Sequence, residues 1–166
     1  LDDSGNIYAV DHNQHRILKH TLSGGSYTQS VVAGGNGSGN NLYQLTNPWD
    51  IYVDDSQTPY NIYITDANNH RVIKWVEGAS QGVVVAGGNG SGSALNQLNY
   101  PRGVTVDSEG NVLVSDSDNN RIMKWVSNAN QGIDLLGYVY QQPRGISLDS
   151  KGDIYVSYHY NQTVEK

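Results

Sequence analysis

One pattern recurs along this 166-residue chain, and it limits the folds available more than any other feature of the sequence. Four segments align: GNIYAVDHNQHRILKH from Gly5, YNIYITDANNHRVIKW from Tyr60, GNVLVSDSDNNRIMKW from Gly110 and GDIYVSYHYNQTVEK from Gly152. Their equivalent positions Asp11, Asp66, Asp116 and Tyr158 are 55, 50 and 42 residues apart. A second series precedes three of them: NPWDIYVDD from Asn47, YPRGVTVDS from Tyr100 and QPRGISLDS from Gln142. A third, VVAGGNGSG, starts at Val31 and returns letter for letter at Val84. Three markers in one fixed order make a structural repeat, and a repeat must be recognised before any single element is assigned.

Each repeat reads as a four-stranded antiparallel sheet. PRGVTVD alternates and is β-branched, which suits a half-buried strand. Gly110 and Gly152 follow in turns that need positive φ at low cost. Then come a strand such as NIYITD, a polar turn such as DANNH, a strand such as RVIKWV, and a last strand, GVVVAG. No window has the 3.6-residue apolar period of a helix, so helices should be minimal. Units of about 40–50 residues with four strands each are propeller blades. The fold class is therefore all-β, a β-propeller of four-stranded antiparallel blades. About three to four blades are expected, in one region spanning 1–166. The repeats fall at 1–47, 48–100, 101–142 and 143–166, the last one partial.

The residues also carry a family resemblance. Asn69-His70-Arg71-Val72 after Ile-Tyr-Ile-Thr-Asp, with Pro-Arg-Gly-Val-Thr-Val-Asp before the next such segment, resembles the NHL-repeat family of β-propellers. The resemblance covers nearly the whole chain. It is strong in the second and third repeats, good in the first and eroded in the fourth, where Tyr158 and Thr163 stand in place of Asp and Arg.

Asp11, Asp66 and Asp116 each precede an arginine by five residues: Arg16, Arg71 and Arg121. The expectation is a structural pair in each blade, with the carboxylate capping the tight turn and meeting the guanidinium across it. The competing reading, a ring of acids that binds metal, is set below it, because a residue recurring in every blade usually serves the blade. The DSDNN stretch from Asp116 fails as a calcium loop: Arg121 occupies the sixth position, where glycine is needed, and Ser127 the twelfth, where glutamate is needed.

Five histidines, His12, His15, His20, His70 and His159, fall mostly in equivalent turns. The resemblance implies that zinc is conceivable, because the related peptidyl-hydroxyglycine amidating lyases bind zinc through channel histidines. The third repeat lacks one, and no cofactor is expected, zinc and calcium being minor alternatives. No GxSxG elbow or Ser-His-Asp set can be picked out, so no catalytic residue is assigned. The candidate rim or channel-binding residues are Trp49, Arg102, Arg144, His12 and His70. Trp49 takes the place of Arg102 and Arg144 in its repeat, and the two arginines could hold an anionic ligand. Trp75 and Trp125 end equivalent strands and read as inter-blade packing.

The AGGNGSG loops lack the Lys-Ser/Thr ending of a phosphate loop and read as long flexible excursions between blades. They do hold the sequons at Asn36 and Asn89, and Asn161 begins a third, so N-glycans are expected if the chain follows a secretory route.

Composition closes several classes. The net charge of −6 is a poor start for binding a polyanion, so no nucleic-acid partner is expected. No apolar run approaches the ~18 residues of a membrane span. The absence of cysteine removes disulfides and thiolate metal sites. A little over three blades is short of the 4–8 in a closed propeller. The expectation is a piece of a longer chain, a ring completed by a second copy, or an open array. A protein partner or self-association follows, and the isolated chain should not behave as a sharp monomer. The functional expectation is a non-catalytic, extracellular, secreted module for protein or glycan interaction or structural assembly. The alternative is a metal-dependent propeller enzyme resembling the amidating lyases or lactone hydrolases.

Overall fold

The computed structural model describes residues 2–137 and 141–166. Its strands form four antiparallel sheets. The first contains β1 (Ile7–Asp11), β2 (Arg16–Ser23) and β3 (Ser26–Gly34). The second contains β4 (Pro48–Asp54), β5 (Asn61–Asp66), β6 (Arg71–Val76) and β7 (Val83–Gly87). The third contains β8 (Pro101–Val106), β9 (Val112–Asp116), β10 (Arg121–Trp125) and β11 (Ile133–Asp134). The fourth contains β12 (Pro143–Leu148), β13 (Ile154–Tyr158) and β14 (Thr163–Glu165). Each sheet is an up-and-down meander in chain order, as propeller blades are.

Four strands per blade holds for the second and third sheets. The first sheet begins at the strand equivalent to β5 and β9, and the fourth ends at the strand equivalent to β6 and β10. Both therefore have three strands among the described residues. The inner strands stand side by side, with β8 flanked by β4 and β12, and β1 of the first blade beside β4. Gly103 permits that approach on one side: a Cβ there would overlap the carbonyl oxygen of Arg144.

The hydrophobic core lies between the blades, in three layers. Ile17 and Ala33 of blade 1 meet Ile62, Ile64, Ile73 and Trp75 of blade 2. Tyr63, Val72 and Ala86 of blade 2 meet Val112, Val114, Met123 and Trp125 of blade 3. Leu113 and Ile122 of blade 3 meet Ile146, Val156 and Tyr158 of blade 4. Strand alternation explains this: adjacent residues such as Val72 and Ile73 point to opposite neighbours, so both faces of a middle blade must be apolar. Trp75 and Trp125 are buried in these layers. On blade 1 Ile7 and Leu22 are exposed, and on blade 4 Val164 is exposed.

The AGGNGSG loops are not the flexible excursions expected of glycine-rich sequence. Leu45 and Leu98 run back from them into the core, fully buried, each pairing with a loop serine through a single bridge (Ser38 with Leu45, Ser91 with Leu98). Arg71 donates to the carbonyls of Asn40, Asn41 and Gln44, and Arg121 to those of Ser93, Ala94 and Gln97. Glycine here supplies tight turning, while distant side chains supply the order.

The turn after β5 is a single 3₁₀ turn, Ala67–Asn69, closed by the His70 N–H bonding to the Ala67 carbonyl. Equivalent turns follow β1 and β9 (His12–Gln14 and Ser117–Asn119). No helix among the described residues is long and apolar enough to cross a membrane.

Candidate functional site: the channel mouth

The aspartate–arginine pairs define one end of each blade. Arg71 Nε donates to Asp66 Oδ2 at 2.7 Å, Arg121 Nε to Asp116 Oδ2 at 2.7 Å and Arg16 Nε to Asp11 Oδ2 at 2.8 Å. The carboxylates do not cap the turn's amides, as the sequence reading had them doing. The turns close on their own backbone bonds. Asp66 and Asp116 instead accept the Thr46 and Asn99 N–H groups of incoming loops, along with the Asn69 and Asn119 side-chain amides. Burial pushes both carboxyls up from the ordinary aspartate value, and these donors with the arginines pull against it. Turn capping by carboxylate belongs to another series. Asp107 Oδ1 accepts the Glu109 and Asn111 amides, and Asp2 and Asp149 do the same in their own turns.

From each 3₁₀ turn the chain leaves through a left-handed residue: His15 (φ 54°), His70 (φ 52°) and Asn120 (φ 54°). Their side chains reach the next blade. His15 Nδ1 accepts the Asn47 N–H at 3.1 Å, His70 Nδ1 the Tyr100 N–H at 3.2 Å, and Asn120 Oδ1 the Gln142 N–H at 3.0 Å. Asn47, Tyr100 and Gln142 are themselves left-handed, with φ of 49°, 52° and 47°. The prolines behind them, Pro48, Pro101 and Pro143, start the inner strands. The residue after each proline, Trp49, Arg102 or Arg144, thereby stands at the same place on three adjacent inner strands, the end called the channel mouth from the propeller fold.

Three of the five rim residues singled out from sequence come together there. The Arg102 guanidinium lies 5.2 Å from the Trp49 ring centroid and 4.8 Å from that of Tyr100. The two rings are 6.2 Å apart, and His12 meets Trp49 edge-on at 5.4 Å. Trp49 keeps 40% of its surface exposed. His12 is tied down at both nitrogens: Nδ1 is 3.0 Å from the Pro48 carbonyl, and Nε2 is 3.2 Å from the Asn47 side-chain nitrogen. A tautomer with the proton on Nδ1 satisfies both bonds. His70 stands apart from this group, committed to Tyr100. No group of three His, Cys, Asp or Glu side chains that could hold a metal ion is assembled among the described residues.

Arg102 and Arg144 occupy equivalent places on adjacent inner strands. The Arg102 side chain is 12% exposed, and its Nη1 lies 3.5 Å from Asp118 Oδ1. That is an ion pair in distance but not a formed hydrogen bond. Arg102 Nε and Arg144 Nε are buried without an acceptor among the described residues. Burial pulls Arg102 below the usual arginine value, the Asp118 charge opposes this, and the positive charge of Arg144 adds to it.

Asp50, which the sequence reading passed over, stands where the other inner strands have Gly103 and Gly145. Its Oδ2 accepts the Val104 N–H of the next blade at 3.2 Å, and burial pushes its carboxyl up. The signal was present: an acid where the inner strands of the next two repeats have glycine.

The sequon asparagines differ. Asn36 Nδ2 donates to the Tyr43 carbonyl and Asn89 Nδ2 to the Asn96 carbonyl, both at 2.9 Å, whereas Asn161 lies in the exposed turn before β14.

With this geometry in view, residues 98–125 match the NHL repeat family, a stretch running from Leu98 to Trp125. The chain carries an NHL repeat in a β-propeller fold. No curated protein matches it. Among solved structures, a catalytically inactive virginiamycin B lyase from Staphylococcus aureus, solved with quinupristin, is 12% identical with a TM-score of 0.62. The match covers 99% of this chain and 52% of the lyase. A candidate gluconolactonase is 16% identical with a TM-score of 0.64, over 95% of this chain and 55% of the other. An auxiliary nutrient binding protein from Bacteroides thetaiotaomicron is 13% identical with a TM-score of 0.66, over 98% and 44%. The chain thus spans about half the length of the solved structures it matches, and at these identities the likeness is one of fold.

Proposed function

We propose that this NHL propeller is a non-catalytic interaction module that takes a protein partner at the channel mouth. One observation carries the reading: Arg102 lies against both Trp49 and Tyr100, with Trp49 still open to solvent. Tryptophan, tyrosine and arginine are the side chains that concentrate binding energy at protein interfaces. Here their rotamers are set before any partner arrives, which lowers the ordering cost of association.

Selection of peptides from a random library on the whole chain tests this. Enriched peptides should lose about tenfold or more in affinity on Trp49→Ala, a hot-spot-sized effect. Failure to enrich any sequence would sink the reading. Self-association through the exposed apolar side chains of blades 1 and 4 belongs to the same proposal, and light scattering across a dilution series reads it directly. The extracellular, glycosylated setting rests on the sequons alone.

A second reading has specific support in the lyase and gluconolactonase folds among the similar structures. It makes the chain part of a propeller enzyme. Stoichiometric zinc or calcium in the purified protein would favour it over the interaction module.

A further inference from the structure

We propose that Arg102 and Arg144 together form a carboxylate site that receives an acidic side chain of the bound protein. The inference rests on the interaction-module reading and names the chemistry of its partner. Two guanidinium groups on neighbouring inner strands each hold a buried Nε–H with no acceptor among the described residues. A buried donor without a partner costs free energy, and a charged one costs more, so structures rarely keep two together without a use for them.

The protein's own acid does not fill the need. Asp118 Oδ1 stands 3.5 Å from Arg102 Nη1, beyond hydrogen-bond reach, and the same oxygen already accepts from Gln142 Nε2 at 3.1 Å. Asp118 is in ion-pair distance of Arg102 alone, and Arg144 makes no ion pair among the described residues, so both guanidinium groups are short of acceptors. An incoming carboxylate supplies them and fits the planar fork of a guanidinium.

The surroundings select the kind of anion. Asp118, and Asp50 one residue along β4 from Trp49, would repel a polyanion laid across the mouth, so a nucleic-acid backbone is disfavoured while a single carboxylate is not. Trp49 and Tyr100 lie against Arg102 and offer ring surface that an adjacent apolar side chain of the partner can cover. Contact with the two rings favours this placement of the Arg102 guanidinium before any partner binds.

The test uses the whole chain and two defined probes, acetyl-Glu-Glu-amide and its neutral counterpart acetyl-Gln-Gln-amide, alongside the selected peptides. Binding is read from the arginine Nε–H signals in ¹⁵N spectra. The expected result is a saturable shift of the Arg102 and Arg144 signals with the glutamate probe alone, and about a tenfold loss of affinity for the selected peptides in Arg144→Gln. Arg144→Lys should recover part of that loss, since it keeps the charge without the fork. Should Arg144→Gln fail to fold, the wild-type titration still decides, because it reports which arginines respond. Equal shifts with both probes, or shifts that leave these two signals in place, overturn the proposal. So does a set of selected peptides that lack acidic residues and bind Arg144→Gln as well as wild type, an outcome that leaves the interaction module standing. Failure to enrich any peptide removes both.

Discussion

His70 Nδ1 accepts the backbone N–H of Tyr100 at 3.2 Å, and this bond ties the last residue of a turn in blade 2 to the start of the inner strand of blade 3. The residue it holds is left-handed and precedes a proline, so Tyr100 contributes no ordinary ladder bond there. The ring of Tyr100 in turn packs on Arg102. A turn residue thus positions the channel mouth one blade away.

Removing the acceptor should therefore cost more than a surface substitution. His70→Ala leaves the Tyr100 N–H without its partner and places alanine at φ 52°, and a loss of about 2–4 kcal/mol is expected from the two effects combined. His70→Asn should cost under about 1 kcal/mol, because asparagine tolerates the left-handed region and Asn120 already plays this part toward Gln142. Urea unfolding of the two variants checks the order; equal losses would show that the bond has no structural weight.

The aspartate–arginine pairs look alike in sequence but not in burial. The Asp66 and Arg71 side chains are 0% and 6% exposed, while Asp11 and Arg16 are 25% and 32% exposed. Arg71→Met leaves a buried carboxylate and three loop carbonyls without their donor, so about 3–5 kcal/mol of destabilisation is expected. Asp11→Asn loosens a solvated pair and should cost no more than about 1 kcal/mol. Thermal or urea unfolding of both variants gives the comparison, and similar losses at the two sites would contradict it.

This difference shows where the sequence stops being readable. The repeat, the strand pattern and the pairing of Asp66 with Arg71 follow from local spacing, because a hairpin brings residues five apart face to face. That Arg71 also orders the loop around Asn40 could not be read, since the contact closes a separation of about 30 residues and depends on blade packing. The apolar face toward a neighbouring blade was legible at Trp75 and Trp125 through their periodicity. The mouth was legible only as residue types. Trp49 and Arg102 were noted as equivalent positions, but their contact across two blades needs the angle between adjacent inner strands. Asp50 was missed because the repeat was read for what it shares, while its departure from glycine carries the inter-blade bond.

Asp107 gives a pH signature. Burial acts to raise its carboxyl, but the Asn111 side chain, Lys124 at 2.9 Å and the Asn111 and Glu109 amides outweigh it and hold the group at about 2. Its folded value lies below its unfolded one, so its contribution to stability is complete above the ordinary aspartate value of about 4 and disappears as pH falls toward 2. Asp107→Asn should be less stable than wild type at pH 6, and the gap should close across that acid window. Unfolding free energies at pH 6, 4 and 2 (a series near the window just named) measure it; a gap that stays constant would rule out this role for the charge.

The sequons make a final comparison, because two of the three asparagines are already engaged by the fold. Asn36 donates to the Tyr43 carbonyl at 2.9 Å while its own carbonyl accepts from Gln44 Nε2 at 3.0 Å. Asn89 repeats both bonds with Asn96 and Gln97. Asn161 sits in an exposed turn. Asn36→Ala and Asn89→Ala should each lose about 1–2 kcal/mol, the worth of a side-chain bond that holds a loop carrying a buried leucine. Asn161→Ala should fall within about 0.5 kcal/mol of wild type, as surface changes do. Expressed through a secretory route, the chain should carry a glycan at Asn161 more readily than at Asn36 or Asn89, because the amide nitrogen that would be modified is bonded to the loop backbone at the latter two. Peptide mapping by mass spectrometry reads the occupancy, and full occupancy at Asn36 with an unchanged unfolding curve would show that the loop does not depend on that amide.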